Sequence, residues 1–307
     1  TVSSTVGAVT YNATALGAQA LFAGAADKTI TGFGTAGSAV YTENASNDGD
    51  VIIGVSDANT STITAVTGAA GSMTINVDGT AGSAITTITA LTAAHSSYTV
   101  NMTGTSAVTM AAGGTATAIT INATDANAHI FIADTNTASI ETFTGGSAVD
   151  TVDLGQGGDS FTSGGGADVF TTVVATDTAI ALGFGHGAAV PTTAIGTSGM
   201  DVITGMATGM TIVTGLTTAS ANAMIRNGGT TMSGANAANT ASALLVGTYS
   251  SAANTFTPSI AGADSLLVVD NNGDTAAGGF SGIVLVGYTD ALQNDTMAGG
   301  TFTSIAG

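Results

Sequence analysis

"GGSAVDTVDLGQGGDSFTSGGGADVF" runs from Gly145 to Phe170. Asp150, Asp159 and Asp168 fall at every ninth position, and two positions after each stands an apolar side chain, Val152, Phe161 or Phe170. A helix interior penalises this much glycine, and so does an ordinary strand. Cut into nines, the stretch reads GGSAVDTVD, LGQGGDSFT and SGGGADVFT, with Leu154 and Ser163 standing where the first unit has its leading glycine. The glycine-rich half of each unit is a turn, the aspartate presents a carboxylate at that turn, and the apolar residue points inward. If each unit makes half a coil, every second turn stacks on the same side, so Asp150 and Asp168 share one edge and Asp159 takes the other. Stacked Asp carboxylates and Gly carbonyls then offer hard oxygens, and Ca²⁺ takes six to eight of these at roughly 2.3–2.6 Å. The candidate ligands are Asp150, Asp159 and Asp168, with Gly155, Gly157, Gly164 and Gly166 in their turns. TVVATDTAI keeps Asp177 without the glycines, and GTSGMDVIT (196–204) matches with Asp201 and Ile203 but stands alone. The plainer alternative is a set of Gly-Asp turns that hold no metal.

Upstream, TITAVTGAAGSMTINVDGTA (62–81) aligns without a gap on TITALTAAHSSYTVNMTGTS (87–106). Ile63 falls on Ile88, Val66 on Leu91, Met73 on Tyr98, Ile75 on Val100, Asn76 on Asn101 and Gly79 on Gly104. Each copy holds two Thr/Ile/Val runs of period two separated by small residues, the pattern of paired strands and turns. Further runs follow in AVTM (107–110), AITIN (118–122), HIFIA (129–133) and SIETF (139–143). Units too short to bury a core alone must stack, which predicts a β-solenoid. An antiparallel sandwich of short strands is the alternative.

Composition narrows the function. The 307 residues include 20 acidic and two basic ones, Lys28 and Arg226, for a net charge of −18, with 44 Gly, two Pro and no Cys or Trp. Nucleic acid needs Lys and Arg to displace counterions, and anionic membrane surfaces need them too. Carboxylates without basic partners point to bound cations. No apolar run is long enough to insert in a membrane as a helix, and no basic-then-apolar leader opens the sequence. The apolar fraction, 44%, is that of a folded chain.

The pattern Gly-Gly-x-Gly-x-Asp-x-apolar-x resembles the RTX nonapeptide of calcium-dependent β-rolls. The end of the chain, DSLLVVDNNGDTAAGGFSGIVLVGYTDALQ (264–293), sets strand runs LLVV and GIVLVG about an Asp-Asn-Asn-Gly-Asp turn. It looks like the uncleaved C-terminal secretion region of type I-exported proteins. With Lys nearly absent and Cys absent, the arrangement is similar to RTX-type bacterial surface-layer proteins of Gram-negative cells, over about residues 60–307. The resemblance implies export unfolded, folding on extracellular calcium and self-assembly on the cell surface, with cell-surface polysaccharide as a further partner.

Catalytic patterns are missing from the sequence: there is no HExxH and no GxSxG, and GGSAV (145–149) lacks the closing glycine. His95, His129 and His186 read as structural or surface residues. Glu43 and Glu141 are the only glutamates, and nothing singles out a glycosidase pair. Met206, Met210, Met224 and Met232 read as core or interface filler. ENASNDGDVIIG (43–54) reads as a solvated turn, with a weak extra calcium site as the alternative.

The expectation is an all-β chain: an N-terminal assembly region (1–60), a β-solenoid running into a short calcium-binding β-roll (61–180) and a C-terminal β domain (181–307). It is expected to be a secreted, non-enzymatic building block that polymerises with its own copies, with an RTX adhesin as the alternative.

Overall fold

In runs such as SMTINVDG, β-branched and apolar residues alternate with Thr and Asn. Successive side chains of a strand point to opposite faces, so this alternation separates a buried face from a solvated one. The computed structural model describes residues 2–3, 9–12, 19–23, 28–33, 40–43, 50–56, 61–64, 71–79, 85–89, 97–104, 107–111, 118–124, 127–132, 140–153, 155–172, 193–214, 224–226, 242–270, 280–289, 295–298 and 300–305. The fold is all-β; every described regular element is a strand. Among the described residues no helix is long and apolar enough to cross a membrane. The chain divides into two compact units, Thr1–Gly155 and Gln156–Gly307.

In the first unit, successive strands alternate between two parallel arrays. One holds Val2–Ser3, Gln19–Ala23, Val40–Glu43, Ser61–Thr64, Ile85–Thr89, Ala107–Ala111, Ile130–Ile132 and Thr151–Asp153. The other holds Val9–Asn12, Lys28–Phe33, Val51–Ser56, Ser72–Gly79, Ser97–Gly104, Ala118–Asn122 and Ile140–Thr144. The pairing is parallel throughout, which rules out the antiparallel sandwich for this unit. Strands before residue 60 belong to the same two arrays as those after it.

The gapless repeat is realised as register: Met73 pairs with Tyr98, Ile75 with Val100, Asn76 with Asn101 and Gly79 with Gly104. Ile63 likewise pairs with Ile88; Val66 and Leu91 lie outside the described residues. The inner column Ile53, Ile75, Val100, Ile121 and Phe143 is fully buried. Each such side chain contributes about 1.5–3 kcal/mol relative to exposure. Phe131 of one array meets Phe143 of the other, ring centroids 6.2 Å apart, so the two arrays share one core.

The solvated face of the second array is built of ladders. Thr74, Thr99, Thr120 and Thr142 are in register, and beside them stand Asn76, Asn101 and Asn122. The Asn101 amide donates to the Asn76 side-chain oxygen at 2.7 Å, and the Asn122 amide donates to that of Asn101 at 2.8 Å. From Val51–Ser56 to Ile140–Thr144 the register is unbroken; the irregularity in this array lies earlier, between Ile30 and Phe33.

The second unit is mixed. Ser160–Thr162, Asp201–Thr204 and Phe280–Val286 run parallel; Asp264–Asp270, Ser242–Ser250, Thr255–Pro258 and Ile195–Gly196 continue the sheet antiparallel, with Met224–Arg226 parallel to Ser242–Ser250. Val169–Thr171 and Thr211–Val213 pair parallel, and Thr301–Thr303 and Thr296–Ala298 follow antiparallel. The runs LLVV and GIVLVG are neighbours, closing at Asp270 and Phe280; the turn between them lies outside the described residues. Leu245, Phe256, Leu266, Val268 and Val284 form a core on one face of this sheet.

Candidate cation-binding turns

Each nonapeptide ends in a three-residue strand whose middle residue is buried: Val152 in Thr151–Asp153, Phe161 in Ser160–Thr162 and Phe170 in Val169–Thr171. In the second unit, Phe161 and Phe170 face each other from different arrays, ring centroids 5.5 Å apart. Consecutive nines thus alternate between arrays there, as half-coils require.

The aspartate just ahead of each strand is buried: Asp150 is 0% exposed, Asp159 2%, Asp168 0% and Asp201 3%. A buried carboxylate needs donors, and main-chain amides supply them. Asp150 accepts from the amides of His129 at 2.9 Å and Gly146 at 3.3 Å. Asp201 accepts the Asp159 amide at 3.0 Å on one oxygen and the Thr172 hydroxyl at 2.6 Å on the other. Asp168 accepts the Ser163 hydroxyl at 2.5 Å. Upstream, Asp50 repeats the arrangement at an exposed position, accepting the Ser72 amide at 2.7 Å and hydroxyl at 3.0 Å. Asp50, Asp150 and Asp201 tie the start of one strand to the start of its neighbour, a role the spacing alone did not reveal, whereas Asp168 binds within its own turn. Asp50 belongs to the stretch ENASNDGDVIIG.

GTSGMDVIT does not stand alone. Its strand lies against DSFT, Ser160 pairing with Val202 and Phe161 with Ile203, which brings Asp159 and Asp201 side by side. The next nine residues, GMATGMTIV (205–213), form the strand paired with Val169–Thr171 and carry Met210, fully buried, at the aspartate's place. The turns themselves touch: a Cβ on Gly158 would sit 2.8 Å from Gly199 Cα, and Gly199 has φ +81°. Gly155, Gly157 and Gly166 hold positive φ, as does Gly165, whereas Gly164 does not. Asp150 and Gly155 belong to the first unit, and Asp159, Asp168 and Asp201 to the second. Asp177, His95 and His186 lie outside the described residues.

At the end of Thr151–Asp153, burial pushes the Asp153 carboxyl above the usual aspartate range, and the Gly155 amide, donating at 3.0 Å, partly opposes this. Glu141 is fully buried in the register column of Met73, Tyr98 and Ile119. His129 is buried and hands its amide to Asp150.

Each oxygen of the Asp201 carboxylate accepts a hydrogen bond, one from a main-chain amide and one from a hydroxyl. Among the described residues no three His, Cys, Asp or Glu side chains gather. Carboxylate and carbonyl oxygens are the ligands a hard cation such as calcium prefers, and Asp159 and Asp201 are the adjacent carboxylates of these turns. Comparison with protein-family profiles, curated proteins and solved structures returns no match.

Proposed function

We propose that this chain is a secreted, calcium-binding structural protein that assembles with copies of itself into a surface layer or extracellular filament. On this reading the two alternating arrays are the walls of a β-solenoid, and the Asp-Gly turns of 145–170 and 196–204 form a short calcium-binding roll. The observation that carries the reading is the unbroken parallel register from Val51–Ser56 to Ile140–Thr144. Partners in this array succeed one another at nearly even steps along the chain, with Ser72, Ser97, Ala118 and Ile140 aligned in one column. Such an architecture grows by repetition and offers extended faces.

Electrostatics supports the calcium component. Carboxylates packed at 0–3% exposure in a chain of charge −18 repel one another, and a cation bound by the folded state alone adds its binding free energy to folding. Export unfolded by a type I route, with folding outside the cell, follows from the same resemblance. Electron microscopy of the purified chain with calcium and with chelator tests the proposal. Sheets or fibres are expected in calcium; dispersed single particles under both conditions would refute it.

A further inference from the structure

We infer that Asp295 is a pH-sensitive latch on the hairpin that follows it: acid releases residues 296–305 while the neighbouring sheet stays folded. The inference is independent of the assembly and calcium readings.

Asp295 is 5% exposed and stands at the start of the hairpin formed by Thr296–Ala298 and Thr301–Thr303. One carboxylate oxygen accepts the Ile305 amide at 2.8 Å, just past the second strand of the hairpin, and the other accepts the Tyr288 hydroxyl. Tyr288 follows Phe280–Val286, and its carbonyl accepts the Ser265 hydroxyl at 2.7 Å. Its ring meets Phe302 edge-on, centroids 6.4 Å apart. One carboxylate thus joins the two ends of the hairpin and ties them to the sheet.

The hairpin is the weaker structure of the two. Among the described residues it pairs with one strand of the unit outside itself, Thr211–Val213, over three residues. Gly300 accepts from Thr214, and Ser304 bonds to Ala207, Gly209 and Met210. Asp264–Asp270, by contrast, pairs over six residues on each side, with Ser242–Ser250 and with Phe280–Val286.

Charge is what the two donors bind. A hydrogen bond to an ionised acceptor is roughly twice as strong as a neutral one. Burial opposes the charge, but each oxygen has the donor that a buried carboxylate requires. Closure therefore favours the ionised form, so its contribution is present at neutral pH and is lost as pH falls. The other titratable groups on the elements around it are Tyr288, Tyr249 and Asp264, whose carboxylate accepts the amides of Gly287 and Tyr249, each at 2.8 Å. Stretches 205–214 and 296–305 carry no charged residue, and Asp290 lies outside the described residues. Release bares Phe302, now 0% exposed, and the edge of Thr211–Val213. An unpaired strand edge is a template for another strand, so the latch keeps an adhesive edge covered until acid opens it.

Hydrogen exchange on the full chain, at constant calcium, tests this from about pH 7 to about pH 3, below the ordinary aspartate range. Protection factors in 296–305 should fall about tenfold or more, the effect of losing one hydrogen bond to a charged group. Those in Asp264–Asp270 and Phe280–Val286 should hold. Asp295→Asn, neutral at every pH, should show the low protection already at neutral pH and little further change. Tyr288→Phe keeps the ring on Phe302 and the Ile305 bond, so it should give intermediate protection that still falls in acid. Hairpin and sheet losing protection together would overturn the latch. So would a hairpin that stays protected in acid, with the Tyr288 hydroxyl reversed to accept from the protonated carboxyl. An Asp295→Asn profile that follows the unaltered chain would assign the pH dependence to other groups and likewise overturn it.

Discussion

The Asp201 carboxylate spans three strands of the second unit: it accepts the Asp159 amide at 3.0 Å and the Thr172 hydroxyl at 2.6 Å. All three residues are buried. Asp201→Ala strands two buried donors, each costing about 1–3 kcal/mol, so a loss of roughly 2–6 kcal/mol is expected in urea unfolding. Asp201→Asn keeps an acceptor for the amide but removes the charge. It should cost less stability than the alanine variant yet weaken calcium binding by calorimetry. Equal affinity in Asp201→Asn and the unaltered chain would separate Asp201 from any cation site.

Asp150 and Asp50 perform one task in different surroundings. Asp150 is buried and accepts two amides, whereas Asp50 is exposed and accepts from Ser72. Water can replace the lost partner only at the exposed site. Asp150→Ala should cost about 2–4 kcal/mol and Asp50→Ala under about 1 kcal/mol. A larger loss at Asp50 would contradict the role assigned to burial.

The register of the first unit was legible because the pattern is strict. A one-residue slip would turn Met73, Ile75 and Val77 outward, so apolar alternation and the gapless match permit one pairing. The nonapeptides were legible as turns with inward Val152, Phe161 and Phe170. What local pattern could not supply is the partner across an interruption. Phe161 pairs with Ile203 across a long intervening segment, and Thr211 pairs with both Val169 and Thr303. Nor could it show that aspartates beside glycine turns accept amides from the neighbouring strand, because that depends on which turns stack. Met210 hid the last nine-residue unit by replacing its aspartate with a buried apolar side chain.

Asp153 gives a pH signature. Its carboxyl is raised by burial, against the opposing Gly155 amide, so the folded chain holds this proton more tightly than the unfolded chain. Its contribution favours folding at low pH and is lost as pH climbs from the unfolded value through the higher folded one. Asp153→Asn, which keeps an acceptor for Gly155, should raise the melting temperature at pH 7. The gain should shrink below the ordinary aspartate range. A gain that grows on acidification would reverse the assigned sign.

Asn101 is the middle rung of its ladder, joined to Asn76 and Asn122, while Asn76→Ala removes only one of these two bonds. At this solvated face each bond is worth about 0.5–1 kcal/mol. Asn101→Ala should therefore cost roughly twice as much as Asn76→Ala by chemical denaturation, and equal losses would argue that the ladder adds nothing beyond the strands.

Light scattering from the full chain at micromolar concentration, first in millimolar calcium and then after chelator, tests the central claim most directly. Large particles that dissolve on chelation are the predicted result. A 29.3 kDa monomer in both conditions, unchanged on concentration, would contradict it.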